Sequence, residues 1–176
     1  PLTDFTALTG GAGRYSQPPE VRQLLASGDG GPDLDYGWAL QKSVGIEHQF
    51  TGSLRGELTG FHNDLANLVV GREDRFAFFS GPPDFEAADT GAYANAGSGR
   101  VFGAEGLLEL QADKTIGLLA VTLSRSTRTG RDGKEELFRY DQPLVANLLV
   151  SQQLRRNWRL GARLRYGSGN PYTPVE

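Results

Sequence analysis

The chain contains no cysteine. Disulfides and thiolate metal sites are therefore excluded, a lack compatible with a secreted route. It has only two histidines, His48 and His62. They stand fourteen residues apart on strand-like segments, a spacing that does not place both on one metal. They read as surface or interface histidines, and no metal or cofactor is expected. No apolar run approaches the roughly 18 residues of a membrane-spanning helix, and the hydrophobic share of 38% is low for a helical membrane protein. The net charge of −3 is small, and the basic residues do not gather into one patch. A nucleic-acid partner is not expected. The first residues, "PLTDFTALTG", carry neither a start methionine nor a signal peptide, so the chain reads as a piece of something longer.

What the chain does have is glycine, 24 residues of it, with 9 prolines and a persistent two-residue beat. Such a beat marks strands with two unlike faces. In "NWRLGARLRYGSGNPYTP", Trp158, Leu160, Ala162, Leu164 and Tyr166 fall on one face, and Arg159, Arg163 and Arg165 on the other. In "WALQKSVGIEHQF", Trp38, Leu40, Val44, Ile46 and Phe50 oppose Gln41, Ser43, Glu47 and Gln49. The same alternation runs through "LRGELTGFHNDLANLVV", "GRVFGAEGLLELQ", "TIGLLAVTLSRS" and "DQPLVANLLVSQQL", and more weakly through residues 4–15. It blurs near Phe61, where a bulge is expected. About seven strands result, mostly longer than the roughly 5–6 residues usual in sheets.

The connections alternate in length. Short turns are expected at 51–53, 112–114 and 155–157, and long connections at about 16–36, 71–94 and 127–141, with another from 167. Short turns at one edge and long loops at the other characterise outer-membrane barrels. The first long loop carries a candidate helix, "PPEVRQLLASG", with proline at its start and glycine at its end. No linker divides the chain, so residues 1–176 form one region.

A soluble sheet over a core gives the same alternation. Three features favour a strand between lipid and a wet interior. The strands are long and several in succession keep the beat. Aromatics bracket the apolar face, Trp38 and Phe50 on one strand and Trp158 and Tyr166 on another, as at membrane interfaces. The polar face carries Glu47, Arg55, Glu57, Glu105, Glu109, Arg159, Arg163 and Arg165, as a water-filled lumen would. These charges read as lumenal ion pairs rather than a general acid and base. Lys42 and His48 oppose this assignment, because both fall on the apolar face. Lys42 either snorkels past Trp38 or is turned over by a bulge. The acidic "GDGGPDLD" lacks the spacing of a calcium loop and reads as a solvated turn, and "GGAG" at 10–13 lacks the lysine and helix of a phosphate loop. No catalytic constellation appears, so an enzyme is not expected.

The segments "GRYSQPPEV", "GFHNDLANLVV", "GSGRVFGAEGLLEL", "YDQP" and "RLGARLRYGSGNPYTPV" resemble the C-terminal barrel region of TonB-dependent outer-membrane receptors. The resemblance covers the chain from about Phe5 to Val175. It implies an all-β antiparallel transmembrane barrel segment, with short periplasmic turns and long extracellular loops. It also implies a globular plug, coupling to TonB through that plug, outer-membrane lipid as a partner, and energy-dependent uptake of a scarce nutrient such as a ferric chelate. Residues 1–176 are expected to hold neither the plug nor a closing strand with a terminal aromatic, and to supply about seven of the about 22 strands of such transporters. The candidate ligand contacts are Arg125, Arg128, Tyr140, Tyr172 and the aromatic loop with Phe76 and Phe79. The alternatives from other classes are a soluble all-β ligand-binding module, sandwich or small barrel, and a structural or adhesive outer-membrane protein that transports nothing.

Overall fold

Alternating Val, Ile, Leu and aromatic residues with polar ones favour extended backbone, because each successive side chain meets the opposite environment. In the computed structural model, which describes residues 5–25, 34–71, 93–155 and 157–171, that pattern yields eight strands and one short helix. They are β1 (Thr6–Gln17), α1 (Val21–Leu25), β2 (Gly37–Thr51), β3 (Leu54–Val70), β4 (Ala94–Ala112), β5 (Thr115–Thr129), β6 (Glu135–Leu137), β7 (Leu144–Arg155) and β8 (Trp158–Gly167). All belong to one antiparallel sheet in the order β1-β2-β3-β4-β5-β7-β8, so each long strand pairs with its neighbour in the chain. β6 is a three-residue addition inside the expected loop at 127–141. It pairs with Thr127–Thr129 of β5, above the stretch that β7 occupies.

The short connections fall at the expected places. Thr51 caps the first of them, its Oγ1 accepting from the Ser53 and Leu54 amides at 3.2 and 3.1 Å. The helix begins where the Glu20 amide donates to the Gln23 side chain at 2.7 Å, which satisfies one of the helix's open amides.

The expected bulge at Phe61 lies elsewhere. β3 pairs with β2 and β4 without interruption through Phe61; its register shifts against β2 only beside the short turn, between Gln49 and Thr51, and against β4 between Leu65 and Val69. The cause of the second shift is Asn67, whose φ of 59° is left-handed. Asparagine tolerates that conformation better than other side chains with a Cβ. Here it also gains a hydrogen bond, its Nδ2 donating to the Tyr36 carbonyl at 2.8 Å. Asn95 completes the clasp. Its Nδ2 lies 2.8 Å from the carbonyls of both Asp35 and Asn67, and its Oδ1 accepts from the Asp35 amide. Two asparagines thus tie the ends of β2, β3 and β4 together on the side of the long connections.

The sheet is a single layer. Val70 is the one buried hydrophobic residue among those described, while Leu8, Val44, Leu58, Leu123, Leu160 and Leu164 are each more than half exposed. A soluble β module buries one sheet face against a second layer. No such layer is present among the described residues.

Candidate functional site

Register fixes which side chains share a face, since directly paired residues point the same way. One row across the sheet reads Leu8, Ile46, Leu58, Gly106, Val121, Ala146, Tyr166. The next towards the short turns reads Thr6, His48, Gly56, Leu108, Leu119, Leu148, Leu164. Neither row holds a charged Lys, Arg, Asp or Glu. Trp158 and Phe50 lie at the short-turn end of this apolar face, and Tyr166 and Trp38 towards the long-connection end. Phe50 packs over Gly56, where an added Cβ would meet its ring at 2.8 Å.

Lys42 keeps its place on this face, because β2 pairs without a register shift from Trp38 to Gln49. No bulge turns it over. It stands one step beyond Val44 towards the long connections. Its Nζ reaches Asp64 of the neighbouring strand at 2.8 Å, with His62 Nδ1 3.5 Å from the same carboxylate oxygen. His48 is accommodated nearer the short turns. Its Nδ1 lies 2.8 Å from Thr6 Oγ1, and its ring meets Phe50 edge-on at 4.7 Å.

On the opposite face Glu47 and Glu57 are directly paired, which would be repulsive alone. Arg55 offsets it. Its guanidinium lies 2.8 Å from Glu47, 3.3 Å from Glu109 and 3.8 Å from Glu57. Glu105 shares the face but not this cluster. Arg159, Arg163 and Arg165 line the same face of β8, where Arg159 donates to the Gln153 side chain at 3.3 Å. Phe61 also lies here, across Gly103 of β4.

Towards the long connections this polar face deepens into a cavity of about 680 Å³. Tyr15, Gln23, Ala39, Leu65, Arg128 and Phe138 line it, so the short helix, four long strands and the segment after β6 all contribute. Arg128 crosses Gly99, where any Cβ would meet its Cδ at 2.7 Å. Its guanidinium stacks 4.3 Å from the centre of the Phe138 ring and donates to Ser126 Oγ and the Thr127 carbonyl. Though part-buried, this arginine stays charged at neutral pH. A cationic plane beside aromatic rings suits a delocalised anionic ligand.

The candidate ligand contacts divide. Arg125 and Arg128 are three residues apart on one strand, so they point to opposite faces. Arg128 enters the cavity. Arg125 lies on the apolar face beside Phe102 of β4 and faces Asp141 at 3.7 Å. Tyr140 follows both in the chain and is half exposed, its ring edge-on to Phe138 at 5.7 Å and 5.8 Å from the Arg139 guanidinium. Phe76, Phe79 and Tyr172 lie outside the described residues.

Sequence inspection missed two residues here, Phe138 and Asp141. Asp141 is 2% exposed. Its Oδ1 accepts from the Ser126 amide at 2.7 Å, and its own amide donates to the Phe138 carbonyl. It pins the β5–β7 connection onto β5 and so positions Phe138. The signal was present in "YDQP", a carboxylate next to a turn. Asp141→Ala leaves the buried Ser126 amide unpaired, at a cost of about 1–3 kcal/mol. Limited proteolysis of the full receptor is expected to cut within 130–143 at least five times faster in the variant. Unchanged cleavage would show that the connection holds without this anchor.

Among the described residues no group of three His, Asp or Glu side chains is placed to hold a metal. The family model for TonB dependent receptor-like β-barrels matches residues 2–175. No curated protein matches the sequence. Among solved structures, the ferripyoverdine receptor of the outer membrane of Pseudomonas aeruginosa, bound to ferripyoverdine, superposes with a TM-score of 0.67 at 16% identity, covering 93% of this chain and 21% of that one. Fiu, the ferric-catecholate import receptor from E. coli K12, gives 0.67 at 21% identity, covering 96% and 24%. FpvAI in complex with pyocin S2 gives 0.68 at 16%, covering 94% and 21%. The chain therefore spans about a fifth to a quarter of the length of these proteins, and at such identities the likeness is one of fold.

Proposed function

Because the chain belongs to the TonB-dependent receptor-like β-barrel family, we propose that it is one wall of an outer-membrane receptor importing a ferric chelate. Its apolar face meets lipid and its polar face lines the lumen. The short turns are periplasmic and the long connections extracellular. Energy reaches the ligand through a plug that contacts TonB, as family membership implies. Arg128, Phe138 and Tyr140 are the residues of this wall assigned to the ligand.

The observation that carries the proposal is the two-faced single layer. An apolar face whose two central rows carry no charge backs directly onto a face with eight acidic and basic candidates, and the cationic, aromatic cavity opens at the long-connection end. Water cannot be the solvent of both faces without leaving the first one uncovered. The solved receptors of similar fold are bound to ferripyoverdine or named for ferric catecholate, which supports an iron-chelate class.

The test is uptake of radiolabelled iron chelates by iron-starved cells with the complete gene deleted and then restored. Deletion is expected to abolish uptake of at least one chelate. Arg128→Ala in the restored receptor is expected to weaken binding of that chelate about ten-fold or more, as loss of a charge-assisted contact of about 1.5–3 kcal/mol requires. Uptake of every ferric chelate at the parental rate after deletion would contradict the proposal.

A further inference from the structure

Between the Arg55 cluster and the Arg128 cavity, the polar face holds a second cavity of about 540 Å³. Neighbouring positions of β1–β4 enclose it. Gln41 is directly paired with Asn63, Ser43 with Phe61, and Thr59 with Glu105. Gly11 and Gly13 of β1 form its floor. Nothing stands within 4 Å of a Cβ built at Gly11, so that floor is bare backbone. Two rings border it. Tyr15 lies over Gly13, where an added Cβ would meet the ring at 3.0 Å, and Phe61 lies over Gly103. Tyr15 and Gln41 line the Arg128 cavity too, so the two cavities are contiguous. The polar side chains here differ from those around Arg55 in being unspent. Gln41, Ser43, Asn63 and Glu105 have no hydrogen-bond or ion-pair partner among the described residues. Thr59 is engaged, its Oγ1 donating to Glu57 at 3.2 Å. Lys42 borders the cavity, but its Nζ is held by Asp64 on the opposite face. Among the described residues, Glu105 is thus the one charged group turned towards it.

We propose that this cavity is a second ligand subsite, for a neutral hydroxyl-bearing ring of hexose type, either a free sugar or one carried on a chelate. The inference rests on the lumenal assignment of the polar face made above, but not on Arg128. Three observations select that class. First, the unspent groups mix donors and acceptors. Gln41 and Asn63 each offer both, Ser43 offers a hydroxyl, and the Glu105 carboxylate accepts. Adjacent sugar hydroxyls, each donor and acceptor at once, match such a set, whereas an anion would face Glu105 with no cation beside it. Second, the bare glycine floor and the rings of Tyr15 and Phe61 supply flat surface for the C–H face of a ring, with the Tyr15 hydroxyl as a polar edge. Third, the volume falls within the roughly 300–1,000 Å³ of small-ligand sites, which combine apolar walls with a few convergent polar groups.

The experiment titrates the complete receptor in detergent micelles with a panel of neutral methyl hexosides and disaccharides, and with a ferric tris-catecholate bearing or lacking glucosyl groups. Either a free saccharide is expected to bind, or the glucosylated chelate to bind about ten-fold more tightly than the plain one. The first result identifies a free sugar, the second a sugar carried on the chelate. Gln41→Ala/Asn63→Ala is expected to weaken that binding about ten-fold or more, as loss of two or more hydrogen bonds requires. Gly11→Leu is expected to abolish it by filling the cavity while every polar group remains. Asn147→Ala, on the same face outside the cavity, is expected to leave it unchanged. Heat-modifiable migration on gels checks that each variant is folded. No sugar-dependent binding, or binding that survives both cavity variants, would overturn the inference. Facing is read separately in whole cells, with a membrane-impermeant maleimide applied to Ser43→Cys and Val44→Cys. Reaction at 43, suppressed by the sugar, and none at 44 is expected. Reaction at 43 without sugar-dependent binding would remove the subsite alone, and so would silence at both positions, since the cavity would then be covered. Reaction at 44 but not at 43 would remove the lumenal assignment as well.

Discussion

Gly103→Val in the complete receptor is expected to lower stability by about 1–3 kcal/mol or to block folding, whereas Gly106→Val is expected to be neutral or better within about 0.5 kcal/mol. The two glycines are three residues apart on β4 and face opposite ways. A Cβ at 103 would strike the Leu123 carbonyl, the Phe61 ring at 2.8 Å and the Ser124 Cα at 2.9 Å. Two of these are backbone atoms of β5, so relief requires β4 and β5 to separate. The third is the ring that covers the glycine and substitutes for its missing side chain. A Cβ at 106 meets nothing within 4 Å. Valine there supplies β-branched apolar surface on the uncharged face. Urea unfolding in micelles, followed by tryptophan fluorescence, measures both. Equal midpoints for the two variants would mean that the Phe61–Gly103 contact does not hold β3, β4 and β5 together.

Leu148→Arg is expected to cost about 2–4 kcal/mol in a bilayer, and Asn147→Arg no more than about 1 kcal/mol, from repulsion with the directly paired Arg165. Leu148 pairs with Leu119 and Leu164 in the middle of the uncharged face. Under the proposed facing, an arginine there meets lipid and has no carboxylate in its row. Asn147 points to the other face, paired with Arg165 and Ala120, where water solvates an added charge. The difference between the two, read by the same unfolding measurement in lipid vesicles, isolates facing from strand propensity. A soluble module with the polar face outside would also penalise Leu148→Arg, but it would lose that penalty when no second layer exists to be disrupted.

Much of this was legible from period and spacing alone. The strand count, the short turns and the long connections needed only the two-residue beat and its interruptions. Lys42 resisted, because its partner Asp64 belongs to another strand and the pairing depends on a register that one strand does not contain. Once β2 and β3 are aligned, Lys42 marks where the apolar face stops. The displaced bulge has a similar origin. Phe61 disturbed the beat because it is an aromatic on the polar face, where it covers Gly103 across the strand. Asn67 is what bends the chain, and its left-handed backbone is invisible to hydropathy. Arg125 and Arg128 both stand among the candidate ligand contacts, yet three residues along a strand reverse the face, and only Arg128 enters the cavity. Asp141 and Phe138 came from outside the alternating segments, where no periodicity guides the eye.

The assignment of one face to lipid and the other to the lumen is tested most directly by spin labels on the complete receptor in its own outer membrane. The labels are attached singly at Leu119→Cys and Leu164→Cys on the apolar face, and at Ala120→Cys and Arg163→Cys on the polar face. The chain itself has no cysteine, so each label within it is unique. Labels at 119 and 164 are predicted to collide with oxygen and to be shielded from a water-soluble nickel chelate, and labels at 120 and 163 to show the reverse preference. Nickel accessibility at 119 and 164, with oxygen preference at 120 and 163, would contradict the account.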